Sequence, residues 1–319
     1  MNRRSLLKMM AILPLLPSCI NSNNPSNANY ALPLEIREIT SDTVLTEDTI
    51  GVQYNVHPNV TLNCSGVILD GAVGANMTAV IFAQPNSVII EPTIVNARTG
   101  INLVPYNHKE VWEQLEYLSE EDGMSLVNAN RGSGHQRVVA GNFTNCKVGC
   151  YVHALNVGAE ITQSTFARNR LSVYLDAYST QTLVQSNEFH KQGSGWKDKT
   201  LGWFPAGRES IAIDGSSDNI IDSNTFDIST RKAFIEIYKN CGENNIPRWE
   251  GSINNTIKGN TFKRGSIGIW VSSRRDDRKT HPCRADDSGD VVVDTKLSHN
   301  TFSSVDVGIV DHGDNTLIT

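Results

Sequence analysis

An all-β parallel solenoid is the fold class this sequence predicts, on three observations. A triplet ending in Phe keeps returning: GNF at Phe143, STF at Phe166, NEF at Phe189, then NTF at Phe226, Phe262 and Phe302. The intervals are 23, 23, 37, 36 and 40 residues, a short repeat lengthened by insertions, which is how stacked coils appear in a sequence. The segments after the triplets, 171–179, 209–217, 233–241 and 266–274, alternate apolar and other residues, as half-buried strands do. Composition agrees. Gly numbers 24 and charged residues make up only 19%, favouring strands and turns over helices.

Each element has a physical reason. The position two before Phe runs Gly141, Ser164, Asn187, Asn224, Asn260 and Asn300. Asn and Gly tolerate left-handed backbone, so this column is expected to hold the tight corner. Its amides can bond along the axis while the Phe rings stack inward. Residues 59–71 and 86–103 read as the first two coils. Between them and the regular coils lies an insertion, 104–137, where Val111, Leu115 and Leu118 have helical spacing; one short helix, placed as a flap over a groove, is expected. A solenoid grows by stacking, so residues 36–319 are expected to form one domain.

These corners and strands resemble the right-handed parallel β-helix superfamily, the pectate-lyase-like fold, in which NxF-type corners and GI-x-V strands recur once per coil. The resemblance runs from about Thr43 to the C-terminus and implies a single-stranded right-handed parallel β-helix. No motif of one particular enzyme of that superfamily matches. The NTD, DD and GHG set of polygalacturonase-like hydrolases is absent, and DHGD at 311–314 stands at the wrong end of the chain.

Residues 1–19 read as an export signal, with basic residues, a short apolar run and Cys19, followed by a polar linker, 20–35. NRRSLLK resembles a twin-arginine signal, and LPSC resembles a bacterial lipoprotein cleavage box that would place a lipid on Cys19. The expectation is an exported bacterial protein facing the periplasm or cell surface, held to the membrane only by that lipid. A plain secretory signal with a chance cysteine is the alternative. Of the other cysteines, Cys64, Cys146, Cys150, Cys241 and Cys283, five cannot all pair. Cys241 and Cys283 fall in corresponding loops: a disulfide pinning two groove walls is expected, against two free buried thiols.

With Val173/Leu175, Ile211/Ile213, Ile235/Ile237 and Ile269/Val271 pointing inward, the alternate residues form two outward columns. One holds His153, Asp176, Asp214 and Tyr238; the other holds Tyr151, Tyr174, Ala212, Glu236 and Trp270. Carboxylates stacked along an axis repel unless a cation or substrate offsets them, which makes Asp176 and Asp214 candidate Ca²⁺ ligands. Three insertions, 190–209, 240–251 and 274–290, flank the same strand ends and should wall a groove. Trp196, Trp203 and Trp249 lie in these insertions with the cations Arg208 and Arg274, and Trp270 and Lys239 lie on the strands beside them. Aromatic faces beside polar groups suit sugars. Residues 190–290 hold 16 Lys and Arg against 14 Asp and Glu on a chain of net charge −6, so the groove is locally basic and an acidic polysaccharide is the expected partner. No global basic field points to nucleic acid.

Three functions follow. A polyuronate lyase or C5-epimerase would use Arg274 or Arg208 to neutralise the uronate carboxylate, with His153, Tyr238 or Lys239 as base and acid. A glycoside hydrolase would use Asp176, Asp214 and Glu236. A non-catalytic, adhesive solenoid would only bind glycan. No cofactor is required by any of them, Ca²⁺ aside, and an open solenoid end invites homo-oligomers by stacking.

Overall fold

A computed structural model describes residues 35–71, 77–106, 108–115, 117–190, 196–198, 202–204, 208–227, 233–239, 249–272 and 292–319, with side chains at 108, 196–198 and 202–204 left aside. The chain is a parallel β-helix. One coil consists of strands Glu160–Thr162, Thr165–Ala167 and Leu171–Leu175; the next, of Leu183–Gln185, Glu188–His190 and Ile211–Asp214. Equivalent strands pair in parallel, with Ile161 opposite Val184, Phe166 opposite Phe189 and Val173 opposite Ile211.

The repeating Phe residues fill the lumen as one continuous stack. Successive ring centroids from Phe143 through Phe166, Phe189, Phe226 and Phe262 to Phe302 stand 4.8, 5.0, 4.6, 4.8 and 5.0 Å apart, with the rings nearly parallel. Burying each such side chain stabilises the fold by about 1.5–3 kcal/mol. Beside it runs the amide ladder: the Oδ1 atoms of Asn187, Asn224, Asn260 and Asn300 accept the backbone N–H groups of Ser164, Asn187, Asn224 and Asn260 at 2.8, 2.9, 2.9 and 3.1 Å. A second ladder, which no triplet announces, runs from Thr182 N–H to Asn219 Oδ1 and from Asn219 N–H to Asn255 Oδ1.

Three expectations change. The left-handed residue is not the Asn column but the residue before it: Ala140, Gln163, Ser186, Ser223, Gly259 and His299 all have positive φ. The Asn column is freed to extend its amides along the axis, so the corner strain and the ladder fall on adjacent residues. Coiling also begins earlier than residue 59, since Thr43–Val44, Thr49–Ile50 and Val52–Val56 already make a turn, and Glu35–Ile39 pairs with Val52–Val56. Finally, the insertion contains two helices, α1 (His108–Leu115) and α2 (Glu120–Asn130), instead of one. Ser119 caps α2 by accepting the Asp122 N–H at 3.2 Å, and Glu120, Glu121 and Asp122 complement its N-terminal dipole.

The helices are docked. Val111, Leu115 and Val127 are buried against Ala154, Leu155, Ala177 and Tyr178, which follow the strands Val148–Val152 and Leu171–Leu175. Trp112 meets Tyr178 edge-on. Trp249 fills the space over Gly123, where a Cβ would come within 2.1 Å of its ring, and Arg131 pairs with Glu250.

Cys64, Cys146 and Cys150 are buried free thiols. Burial pushes the Cys64 and Cys146 thiols up to about 12 and Cys150 also well above its ordinary value. Cys241, Cys283, Arg274 and Cys19 lie outside the described residues, as do the export signal and the linker but for Glu35. No helix among the described residues is long and apolar enough to cross a membrane.

Candidate functional site

The strands that build the lumen on one face build the candidate site on the other. Val173, Leu175, Ile211, Ile213, Ile235, Ile237, Ile269 and Val271 all belong to the lumen core. Alternation therefore sends Tyr151, Tyr174, Ala212, Glu236 and Trp270 outward as one column, each opposite the next. Asp214 lies opposite Tyr238, and Asp176 and His153 follow directly after the strands one and two coils earlier. Both expected columns are thus formed.

They are not the open floor of a groove. Asp176, Asp214, Glu236, Lys239 and Tyr238 are all at most 3% exposed, and Tyr174 is buried with them. Tyr151, His153, Arg208, Trp249 and Trp270 remain partly exposed. The Tyr and Asp residues interlock diagonally. The Tyr151 hydroxyl donates to Asp176 Oδ2 at 2.5 Å, and the Tyr174 hydroxyl donates to Asp214 Oδ2 at 2.5 Å, one coil on in each case. Asp176 Oδ1 also accepts the Ala177 N–H at 2.8 Å. Tyr174 accordingly faces a carboxylate.

At the other edge of the strip, Arg208 Nη2 donates to the Tyr238 hydroxyl oxygen at 3.0 Å and to Glu209 Oε1 at 2.6 Å. Burial opposes the Arg208 charge, but Tyr238, Glu209 and Tyr174 outweigh it and hold its pKa above the ordinary value. Glu209, which sequence reasoning passed over, is completely buried, and its Oε2 has no hydrogen-bond partner among the described residues. Its signal was there: an Arg-Glu pair immediately before an apolar strand. The indole N–H of Trp270 and the Oδ1 of Asn102, on the column of Tyr151, are likewise without a partner among the described residues.

Lys239 and Trp249 are structural neighbours. Lys239 Nζ donates to the Trp249 carbonyl at 3.3 Å, and the Trp249 N–H donates to the Tyr178 hydroxyl at 2.9 Å. Trp249 therefore joins the helical insertion to the strip. Trp196 and Trp203 sit on strands Trp196–Asp198 and Gly202–Phe204, an antiparallel pair inside the expected loop 190–209. For the expected Ca²⁺ site, no group of three or more His, Cys, Asp or Glu able to hold a metal ion is found among the described residues.

No protein-family model matches the chain, and no curated protein matches it in sequence. Solved structures do. The catalytic domain of a GH87 α-1,3-glucanase in complex with nigerose aligns at 12% identity and a TM-score of 0.46, over 85% of this chain and 50% of that one. A mutant of the periplasmic alginate epimerase AlgG aligns at 12% identity and 0.44, over 89% and 76%. The enzymatically active domain of bacteriophage CBA120 tailspike protein 2 aligns at 10% and 0.43, over 88% and 42%. The chain spans about half the length of the glucanase domain it matches.

Proposed function

We propose that this protein is an exported, polysaccharide-active β-helix enzyme that abstracts the proton α to a uronate carboxyl, as a lyase or C5-epimerase. The observation that carries this reading is the Arg208 guanidinium donating to the Tyr238 oxygen. In this proposal Tyr238 acts as the phenolate base, and the Arg208 cation beside it also faces the substrate carboxylate whose charge grows in the transition state.

In the first step the α C–H bond breaks, its proton goes to the Tyr238 oxygen, and the electron pair delocalises onto the carboxylate beside Arg208. Re-protonation of that carbon by water on the opposite face completes epimerisation, and Tyr238 returns its proton to solvent. Elimination instead forms the carbon–carbon double bond and expels the glycosidic oxygen, which takes the proton that Tyr238 has just received; His153, three coils away on the same column, is a contact to a neighbouring sugar in this proposal. Asp176 and Asp214, each already accepting a tyrosine hydroxyl, orient the strip. Trp270, partly exposed and with its N–H unmatched among the described residues, supplies a sugar platform. Arg274, Trp196 and Trp203 are further substrate contacts in this proposal, Ca²⁺ at Asp176 and Asp214 an optional aid, and the lipid on Cys19 the anchor.

Hydrolysis is the second reading, favoured by Asp214 and Glu236 on adjacent coils with Glu209 buried nearby. The test treats alginate, pectate and glycosaminoglycans with the mature protein, with and without Ca²⁺, and follows ultraviolet absorbance of the conjugated double bond, proton exchange at the α carbon, and reducing ends. Absorbance or exchange that is lost in Tyr238→Phe and Arg208→Gln supports the proposal. Reducing ends without a double bond point to hydrolysis, and glycan retention without any product points to a binding solenoid.

A further inference from the structure

One coil breaks the repeat where its chain enters the candidate site. Val148 N–H donates to the Arg98 carbonyl, Leu171 N–H to the Lys147 carbonyl and Arg208 N–H to the Arg170 carbonyl, which puts Val148, Leu171 and Arg208 at one position on three successive coils. Cys150, Val173 and Ile211 share the lumen position that follows. On the two earlier coils a single residue, Gly149 or Ser172, joins these positions, whereas Glu209 and Ser210 both stand between them here. The extra residue makes a bulge: the Ser210 carbonyl accepts the N–H groups of both Ser172 and Val173 at 3.0 Å. Bulges re-aim side chains and gather beside active sites. What this one introduces is charge. Where the earlier coils carry Val148 and Leu171, packed in the cluster of Tyr174, Ala212 and Tyr238, this coil carries Arg208, bonded to Glu209 Oε1 at 2.6 Å. Glu209 is completely buried, and its Oε2 has no partner among the described residues. A buried carboxylate so incompletely matched costs stability, and the shorter Leu171-Ser172-Val173 corner does without it.

We infer that Glu209 is the positioning residue for Arg208, set in place by the bulge. Its Oε1 accepts from the same Nη2 that donates to the Tyr238 oxygen, so the carboxylate fixes the guanidinium against the base. Oε2 is the spare acceptor, which takes a second guanidinium N–H when Arg208 turns to the substrate carboxylate. The inference rests on the proton-abstraction reading above and adds the residue that keeps its cation aimed. A guanidinium tied down before the substrate arrives need not be ordered in the transition state, so the gain falls on turnover and not on binding.

The test compares Glu209→Gln, Glu209→Asp and a deletion of Glu209, which restores the spacing of the preceding coil, in the full mature chain. Glu209→Gln and the deletion each remove a buried charge, so their urea midpoints should lie no lower than that of the wild type. Phenylglyoxal, followed by peptide mass mapping, should modify Arg208 about fivefold faster in Glu209→Gln, because a charged hydrogen bond no longer holds it. On polygalacturonate or alginate, kcat of Glu209→Gln should fall about tenfold with KM within about twofold, and Glu209→Asp should keep part of the lost turnover. Arg208→Gln with Glu209→Gln should turn over no more slowly than Arg208→Gln alone. Unchanged Arg208 reactivity overturns the inference, and so do midpoints well below the wild type, which make Glu209 a residue of stability. Losses that multiply in the double variant overturn it too, since Glu209 then acts without Arg208. Where the wild type forms no product from either polymer, the chemical reading fails by itself, and the midpoints and the Arg208 reactivity still decide the role of Glu209.

Discussion

The lumen ladder and the outer strip are built on neighbouring residues of the same coils, yet they follow opposite rules. At the corner, coil after coil repeats Asn and Phe, and each copy makes the same bond and the same ring contact. On the strip, the column Tyr151, Tyr174, Ala212, Glu236, Trp270 changes at every coil. Repetition is what a solenoid needs for stability, because each coil must offer its neighbour the same surface. Variation on a scaffold so regular marks the place where stability has stopped dictating the residue.

Substitutions can break this contrast, and the largest effect is expected on the strip. Tyr238→Phe should lower turnover by about 10²–10⁴-fold while the far-ultraviolet circular dichroism stays that of the intact β-helix. An unfolded variant would make Tyr238 a residue of stability, like the corner. Phe226→Ala should do the reverse. It opens a hole in the ring stack between Phe189 and Phe262 and should cost about 3–5 kcal/mol in urea denaturation. Asn224→Ala removes the acceptor for the Asn187 N–H and the donor to the Val184 carbonyl and should cost about 1–3 kcal/mol by the same measurement. The smallest effect belongs to Gln163, held at φ 55°. Gln163→Gly relieves left-handed backbone and should stabilise by no more than about 1 kcal/mol, whereas the same change at Ser164 should only destabilise, because its hydroxyl accepts the Gly141 N–H.

The two regions also differ in how well they could be read. The columns of the strip follow from alternation, so Tyr151, Tyr174, Asp176, Asp214, Glu236 and Tyr238 fell where expected. Their burial did not follow, nor did the diagonal bonds from Tyr151 to Asp176 and from Tyr174 to Asp214. A tyrosine reaching one coil up and two residues along satisfies no sequence period. Trp249 shows the same limit. Its company in the sequence suggests a sugar platform, but its ring closes over Gly123, more than a hundred residues away.

The sequence by itself determined the parallel solenoid, the ring stack, the first amide ladder and the membership of the two outward columns. All of these are periodic, and a period is a local property that recurs where it can be counted. Tertiary structure alone decided that the left-handed corner precedes the Asn column, that two docked helices border the site, and that Arg208 meets Tyr238 and Glu209. These depend on which residues the insertions bring to the same height on the helix axis, and the height is set by the backbone bonds between coils, not by distance along the chain.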